Sequence, residues 1–155
     1  MKLDGKYGMG NLFKIILKIG FVVLFLLLVF FIPILNMFEI YMNWFLGMIY
    51  ISGIFFLGLI YQFINLFDSL MKNTPFCVNT VTSLRKGMIL SLIISFFVFL
   101  SLAMIVFCYD YYTLGVRICV LFIGILFFGV GIALYILKEL FRQATIYKEE
   151  NDLTI

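Results

Sequence analysis

The apolar positions of this chain fall in four long blocks, and the charged positions fall between them. Ile19 to Leu35 is a run of 17 residues without a charge, and Trp44 to Phe67, Met88 to Phe107 and Ile118 to Leu137 contain no Asp, Glu, Lys or Arg. Such blocks match the ~20 apolar residues of a membrane-crossing helix. They lack the period-2 alternation of an outer-membrane barrel, whose segments run about ten residues. The pattern predicts an all-α fold, a four-transmembrane-helix bundle with spans at about 15–35, 44–67, 88–107 and 118–137. Lys2, Lys6, Lys14 and Lys18 precede the first block as they would in a signal peptide. That block is longer than a signal core of roughly 7 to 15 residues, and Pro33 to Glu39 offers no small-x-small cleavage site. It reads as an uncleaved span that Pro33, near its far end, bends or finishes.

Two helices are expected to outrun their apolar blocks. Thr74 before Pro75 makes a helix start, because Thr caps and Pro tolerates the first helical position. Cys77, Val81, Leu84 and Met88 then share one helical face, so helix three is predicted to run unbroken from an extension over 75–87. After Leu137 the apolar positions Leu140, Phe141 and Ala144 continue the period, with Lys138, Glu139, Arg142 and Gln143 on the other side, which predicts an extension over 138–148. Spans three and four are antiparallel neighbours, so the extensions should pack as a stalk. By helical rise Glu139 falls level with Arg85 or Lys86, which predicts an ion pair there. Gln62, Asn65 and Ser69 make a polar stripe expected to face this stalk. Ser91 with Ser95, Gly129 with Ala133, and Gly53, Gly58 and Gly124 supply small faces for close helix packing; a homo-oligomer is the other use of such a face.

Charge gives the orientation. The N-terminus carries four basic residues, the 68–87 connection three (Lys72, Arg85, Lys86) and the tail three (Lys138, Arg142, Lys148); the 36–43 connection has none and the 108–117 connection only Arg117. Positive-inside bias then predicts both termini and the middle loop in the cytoplasm, N-in and C-in, with both extensions projecting there. Glu39, Asp110 and Arg117 are the charges left outside, beside an aromatic belt of Tyr41, Trp44, Tyr109, Tyr111 and Tyr112. Composition agrees: 65% of the 155 residues are hydrophobic and 12% charged, far from the soluble average of about 25% charged, so residues 1–155 read as one integral membrane domain in a lipid bilayer.

Several chemistries are excluded. With no histidine the chain lacks the usual general base and the commonest metal ligand. Cys77, Cys108 and Cys119 are too few for a four-thiolate zinc cage. Cys108 and Cys119 fall near one end of neighbouring spans, where they either pair as a disulfide on an oxidising side or remain small hydrophobes. The polar groups within the spans are Ser52, Tyr50, Tyr61, Ser91, Ser95, Ser101 and Tyr135, with no ionisable group to carry ions or to activate a serine. The net charge of +3 is spread without a basic run, which argues against direct nucleic-acid binding. The expectation is a non-enzyme without cofactor or metal.

The chain ends Lys148-Glu-Glu-Asn-Asp-Leu-Thr-Ile155, which reads either as a short linear motif with a free carboxylate or as a solvated terminus. Asn65-Leu-Phe-Asp68, Thr74-Pro-Phe76 followed by Asn79 and Leu84-Arg85, and the ending Glu150-Asn-Asp-Leu-Thr-Ile155 resemble the YoaS-like bacterial membrane proteins (domain of unknown function 2975), over essentially all four spans. Many relatives have an acidic residue just before the middle-loop Asn, where this chain has Val78. The resemblance implies a four-helix protein of the bacterial inner membrane with no assigned reaction. Its members are often encoded beside a small helix-turn-helix transcription regulator, which implies a membrane partner or antagonist for that regulator. The residues expected to bind such a partner are Asp68, Pro75, Phe76, Asn79, Arg85, Glu139, Asp152, Leu153, Thr154 and Ile155. The alternative is an immunity or transport accessory protein acting within the bilayer, for which the surroundings of Asp110 and Arg117 would matter and the tail would not.

Overall fold

A computed structural model of the chain describes residues 4–37, 44–71, 78–108 and 113–152. They form four helices, α1 (Asp4–Met37), α2 (Trp44–Met71), α3 (Val78–Cys108) and α4 (Leu114–Asp152). Each is long and apolar enough to cross a membrane, so this is a multi-pass membrane protein. Inside a bilayer no water satisfies a backbone N–H or C=O, and a helix satisfies both from within the segment. The same economy carries the helices past their apolar blocks. α1 begins at Asp4, well before the expected start near 15, and it continues through Pro33 to Met37 rather than ending at the proline. The 39 residues of α4 make a rod of about 58 Å, against a hydrocarbon core of about 30 Å. α3 is already helical at Val78, ten residues before Met88; the Thr74-Pro75 start lies outside the described residues.

Successive helices are antiparallel neighbours. α3 packs extensively against both α2 and α4, α1 touches α2 alone, and no other pair of helices is in backbone contact among the described residues. The four helices therefore form an open array with α3 at its centre and do not close into a ring. α1 leaves most of its apolar side chains exposed, Phe13, Ile16, Val23 and Phe30 among them. Lipid tails are as apolar as leucine, so nothing drives such a helix to bury its outer face. Its attachment to α2 is made at discrete points. Phe13 stacks on Phe67 with centroids 5.9 Å apart, and Phe31 stacks on Tyr50 at 5.6 Å. Lys14 pairs with Asp68. At Gly53 an added Cβ would lie 2.8 Å from Leu28 Cδ2.

The core is the seam that α3 shares with its two neighbours, built on Leu59, Leu84, Ile94, Val98, Ile105, Val120 and Leu134. Between α3 and α4 the small residues work as their spacing predicts. The Ser91 hydroxyl donates to the Phe127 carbonyl at 2.5 Å, and Ser95 donates to the Gly124 carbonyl at 3.1 Å. A Cβ on Gly124 would stand 2.9 Å from Phe99, and one on Gly131 3.0 Å from Leu92. The Gly129 and Ala133 pair does not share in this packing: both are exposed, and a Cβ on Gly129 would meet nothing within 4 Å. Each lies two residues from Gly131, a rotation of about 200°, so the phase that turns Gly131 inward turns them outward. Cys119 is a free thiol on an exposed face, so the disulfide alternative is not realised.

Candidate functional site

Antiparallel packing gathers the basic residues of separate segments at one end: Lys14 and Lys18 of α1, Arg85 and Lys86 of α3, Lys138 and Arg142 of α4. There the two extensions meet as expected. Thr80 and Leu84 are buried, Phe141 packs against the core, and a Cβ on Gly87 would lie 3.4 Å from Leu134 of α4 and 3.8 Å from Leu59 of α2. Gln62 also turns toward α3, its Cβ 3.9 Å from that Gly87 position. Ser69, lower in the same stripe, donates to the Asn65 carbonyl of its own helix at 3.1 Å.

Burying Thr80, Leu84 and Gly87 turns the intervening polar residues outward. Asn79, Thr82, Arg85 and Lys86 form an exposed face of α3, on which Thr82 donates to the Asn79 carbonyl at 2.8 Å. The expected ion pair of Glu139 with Arg85 or Lys86 is absent. Glu139 instead binds Arg142 of its own helix, accepting from Nη2 at 2.5 Å and Nε at 3.1 Å. Side chains three residues apart on one helix are already neighbours, whereas Arg85 and Lys86 point away from the seam. Lys138 lies over the Tyr135 ring, 4.6 Å from its centroid. Asp68 belongs to the contact with α1 and not to the exposed face of α3. The predicted partner-binding set is thus divided: Asn79 and Arg85 share one outer face, Glu139 is engaged on α4, and Asp68 ties down α1. Asp152 ends α4, so helix continues past 148 to that residue. Pro75, Phe76, Leu153, Thr154 and Ile155 lie outside the described residues.

The opposite end differs in packing. Thr113 precedes α4, and its carbonyl accepts the N–H groups of Val116 and Arg117 at 3.1 and 3.3 Å. Arg117 is half-buried, and its Nε is buried without a hydrogen-bond partner. One turn further along the same face, Val120 helps line a cavity of about 260 Å³ among α2, α3 and α4, with Ser52, Phe56, Ile94, Val98 and Phe127. Phe56 and Phe127 meet edge to face at 5.4 Å, so α2 and α4 touch through these rings while their backbones stay apart. The sequence marks Arg117 only as a lone base; the cavity has no local signal, because its walls come from three separate helices brought together by packing.

The family model described as "Protein of unknown function (DUF2975)" matches residues 15–155. The chain belongs to that family. This agrees with the resemblance carried by Asn65 to Asp68, Thr74 to Arg85 and the final six residues. No curated protein and no solved structure matches the chain. In this DUF2975 protein the buried serines are occupied by backbone. Ser52 and Ser101 donate to carbonyls three and four residues earlier on their own helices, at 2.7 and 2.8 Å, and Ser91 and Ser95 donate across to α4. Their hydroxyls serve packing and leave no donor pointing into the cavity.

Proposed function

We propose that this DUF2975 protein is a non-enzymatic regulator in the bacterial cytoplasmic membrane, with both termini inside, that binds a small cytoplasmic helix-turn-helix transcription regulator. The outer face of the α3 extension and the C-terminal Asp152 to Ile155 make the contact. One observation carries this reading: α3 and α4 overrun their apolar blocks together, and the buried seam of Thr80, Leu84 and Phe141 fixes Asn79, Thr82, Arg85 and Lys86 outward. A rigid helical face spends little ordering entropy on binding. Among the described residues no carboxylate pairs with Arg85 or Lys86, so both are free to meet an acidic face of a partner. Basic residues concentrated at this end support its cytoplasmic placement. The partner supplies the DNA-reading surface, and the membrane protein needs neither nucleic acid nor cofactor.

The test is affinity capture from bacterial membranes with mass spectrometry of the bound proteins. Wild type is compared with a truncation lacking Asp152 to Ile155 and with Arg85→Glu. Wild type should retain a small helix-turn-helix protein, the truncation should lose it, and the charge reversal should weaken it. Equal capture by all three would remove the basis of the proposal.

A further inference from the structure

The cleft among α2, α3 and α4 and the buried, unpartnered Nε of Arg117 above it point to one occupant. We propose that this cleft holds an acyl chain of an anionic phospholipid whose phosphate is bound by Arg117. The cavity is about 260 Å³, and its polar lining is limited to Ser52 and Ser101, whose hydroxyls are committed to the Ile49 and Phe97 carbonyls. Water takes up about 30 Å³ and needs two to four polar partners, which these walls do not offer. The space is a half-open apolar cleft, and hydrocarbon is the filling that such walls accept without an unsatisfied polar group. The bilayer supplies it directly: α1 does not cover the gap between α2 and α4, and Ile123 on the rim is 44% exposed.

The head of the ligand follows from charge. Arg117 is the single basic residue in the connections at this end, and its Nε is buried with no acceptor. A guanidinium carries five donors, and one left buried and unsatisfied is costly, so the site needs an anion or a strong acceptor. Arg117 and Val120 lie three residues apart on the inward face of α4, a rise of about 4.5 Å, so the charge stands one turn above the hydrocarbon slot. Arg117 also lies in the first turn of α4, where the helix dipole favours negative charge. A phospholipid phosphate sits at the level where a span leaves the hydrocarbon, with its chains directly below. That spacing fits a lipid and not a free soluble anion, which would leave the slot empty.

The test uses the full chain, purified in detergent, stripped of lipid and titrated with phosphatidylglycerol or phosphatidylcholine of identical chains, with bound lipid counted by native mass spectrometry. Wild type should bind one phosphatidylglycerol about tenfold more tightly than phosphatidylcholine. Arg117→Gln should bring the two lipids to parity while still binding both, and Arg117→Lys should keep part of the preference. Filling the slot with Val98→Phe, or with Ile49→Trp if the first does not fold, should weaken both lipids together. Glycerol phosphate at millimolar concentration should not displace the lipid. Equal binding of the two lipids by wild type, an unchanged preference in Arg117→Gln, or full displacement by glycerol phosphate would each overturn the proposal.

Discussion

Replacing the seam serines separates hydrogen bonding from close approach at the α3–α4 contact. Ser91 and Ser95 are 0% and 2% exposed and donate to the Phe127 and Gly124 carbonyls. Both acceptors lie inside α4, where each carbonyl also receives the N–H four residues on, so removing the hydroxyls orphans nothing. Interhelical hydrogen bonds in membranes average about 0.6 kcal/mol, so Ser91→Ala with Ser95→Ala should cost only about 1 kcal/mol. Ser91→Leu instead forces extra carbon into a contact made without room for it, and overpacking costs about 1–3 kcal/mol. Unfolding by SDS in mixed micelles, followed by circular dichroism, should place the double alanine variant slightly below wild type and Ser91→Leu clearly below both. If Ser91→Leu were as stable as the alanine variant, α3 and α4 would not approach closely here, and the serines would be ordinary lipid-compatible residues.

The outward phase of Gly129 predicts a contrast with Gly124 in the same assay. Gly124→Leu, meeting Phe99 at once, should lose about 1–3 kcal/mol, while Gly129→Leu should stay within about 0.5 kcal/mol of wild type. The attachment of α1 should depend on packing more than on charge. Lys14→Ala, with both partners of the pair partly solvated, should change the unfolding midpoint by no more than about 1 kcal/mol, whereas Gly53→Leu should push Leu28 away and raise cross-linking or protease access between α1 and α2.

The spans were legible because a bilayer imposes one solution on any long apolar run. The inner side of the α3 extension was legible too: the period through Val81, Leu84 and Met88 marks the side that turns inward, and Thr82, Arg85 and Lys86 between them come out exposed. What the sequence did not carry was arrangement. Gly129-x-x-x-Ala133 and Ser91-x-x-x-Ser95 look alike as strings, yet only the second faces a neighbour, because helix rotation is set by the whole interface. Glu139 lay at the right height for Arg85, but height omits azimuth, and the nearer Arg142 took the bond. The open array was equally hidden, since an apolar helix looks the same whether it meets protein or lipid.

The two ends of the molecule make separable demands, which keeps the two proposals independent. At the basic end α2, α3 and α4 pack around Gly87, and the void enclosed there by Gln62, Leu84 and Leu134 is only about 10 Å³, too small to admit a ligand. Among the described residues, what this seam offers a partner is its outer surface, Asn79, Thr82, Arg85 and Lys86. At the other end the same three helices leave about 260 Å³ open, and function can lie inside the array. The Ser91, Ser95, Gly124 and Gly131 contacts lie between the two ends and hold α3 and α4 in one register. Removing Asp152 to Ile155 should therefore leave lipid preference intact, and Arg117→Gln should leave protein capture intact. If Arg117→Gln abolished capture without unfolding the chain, the cleft and the stalk would have to be one coupled device, with the α3–α4 seam as the element that joins them.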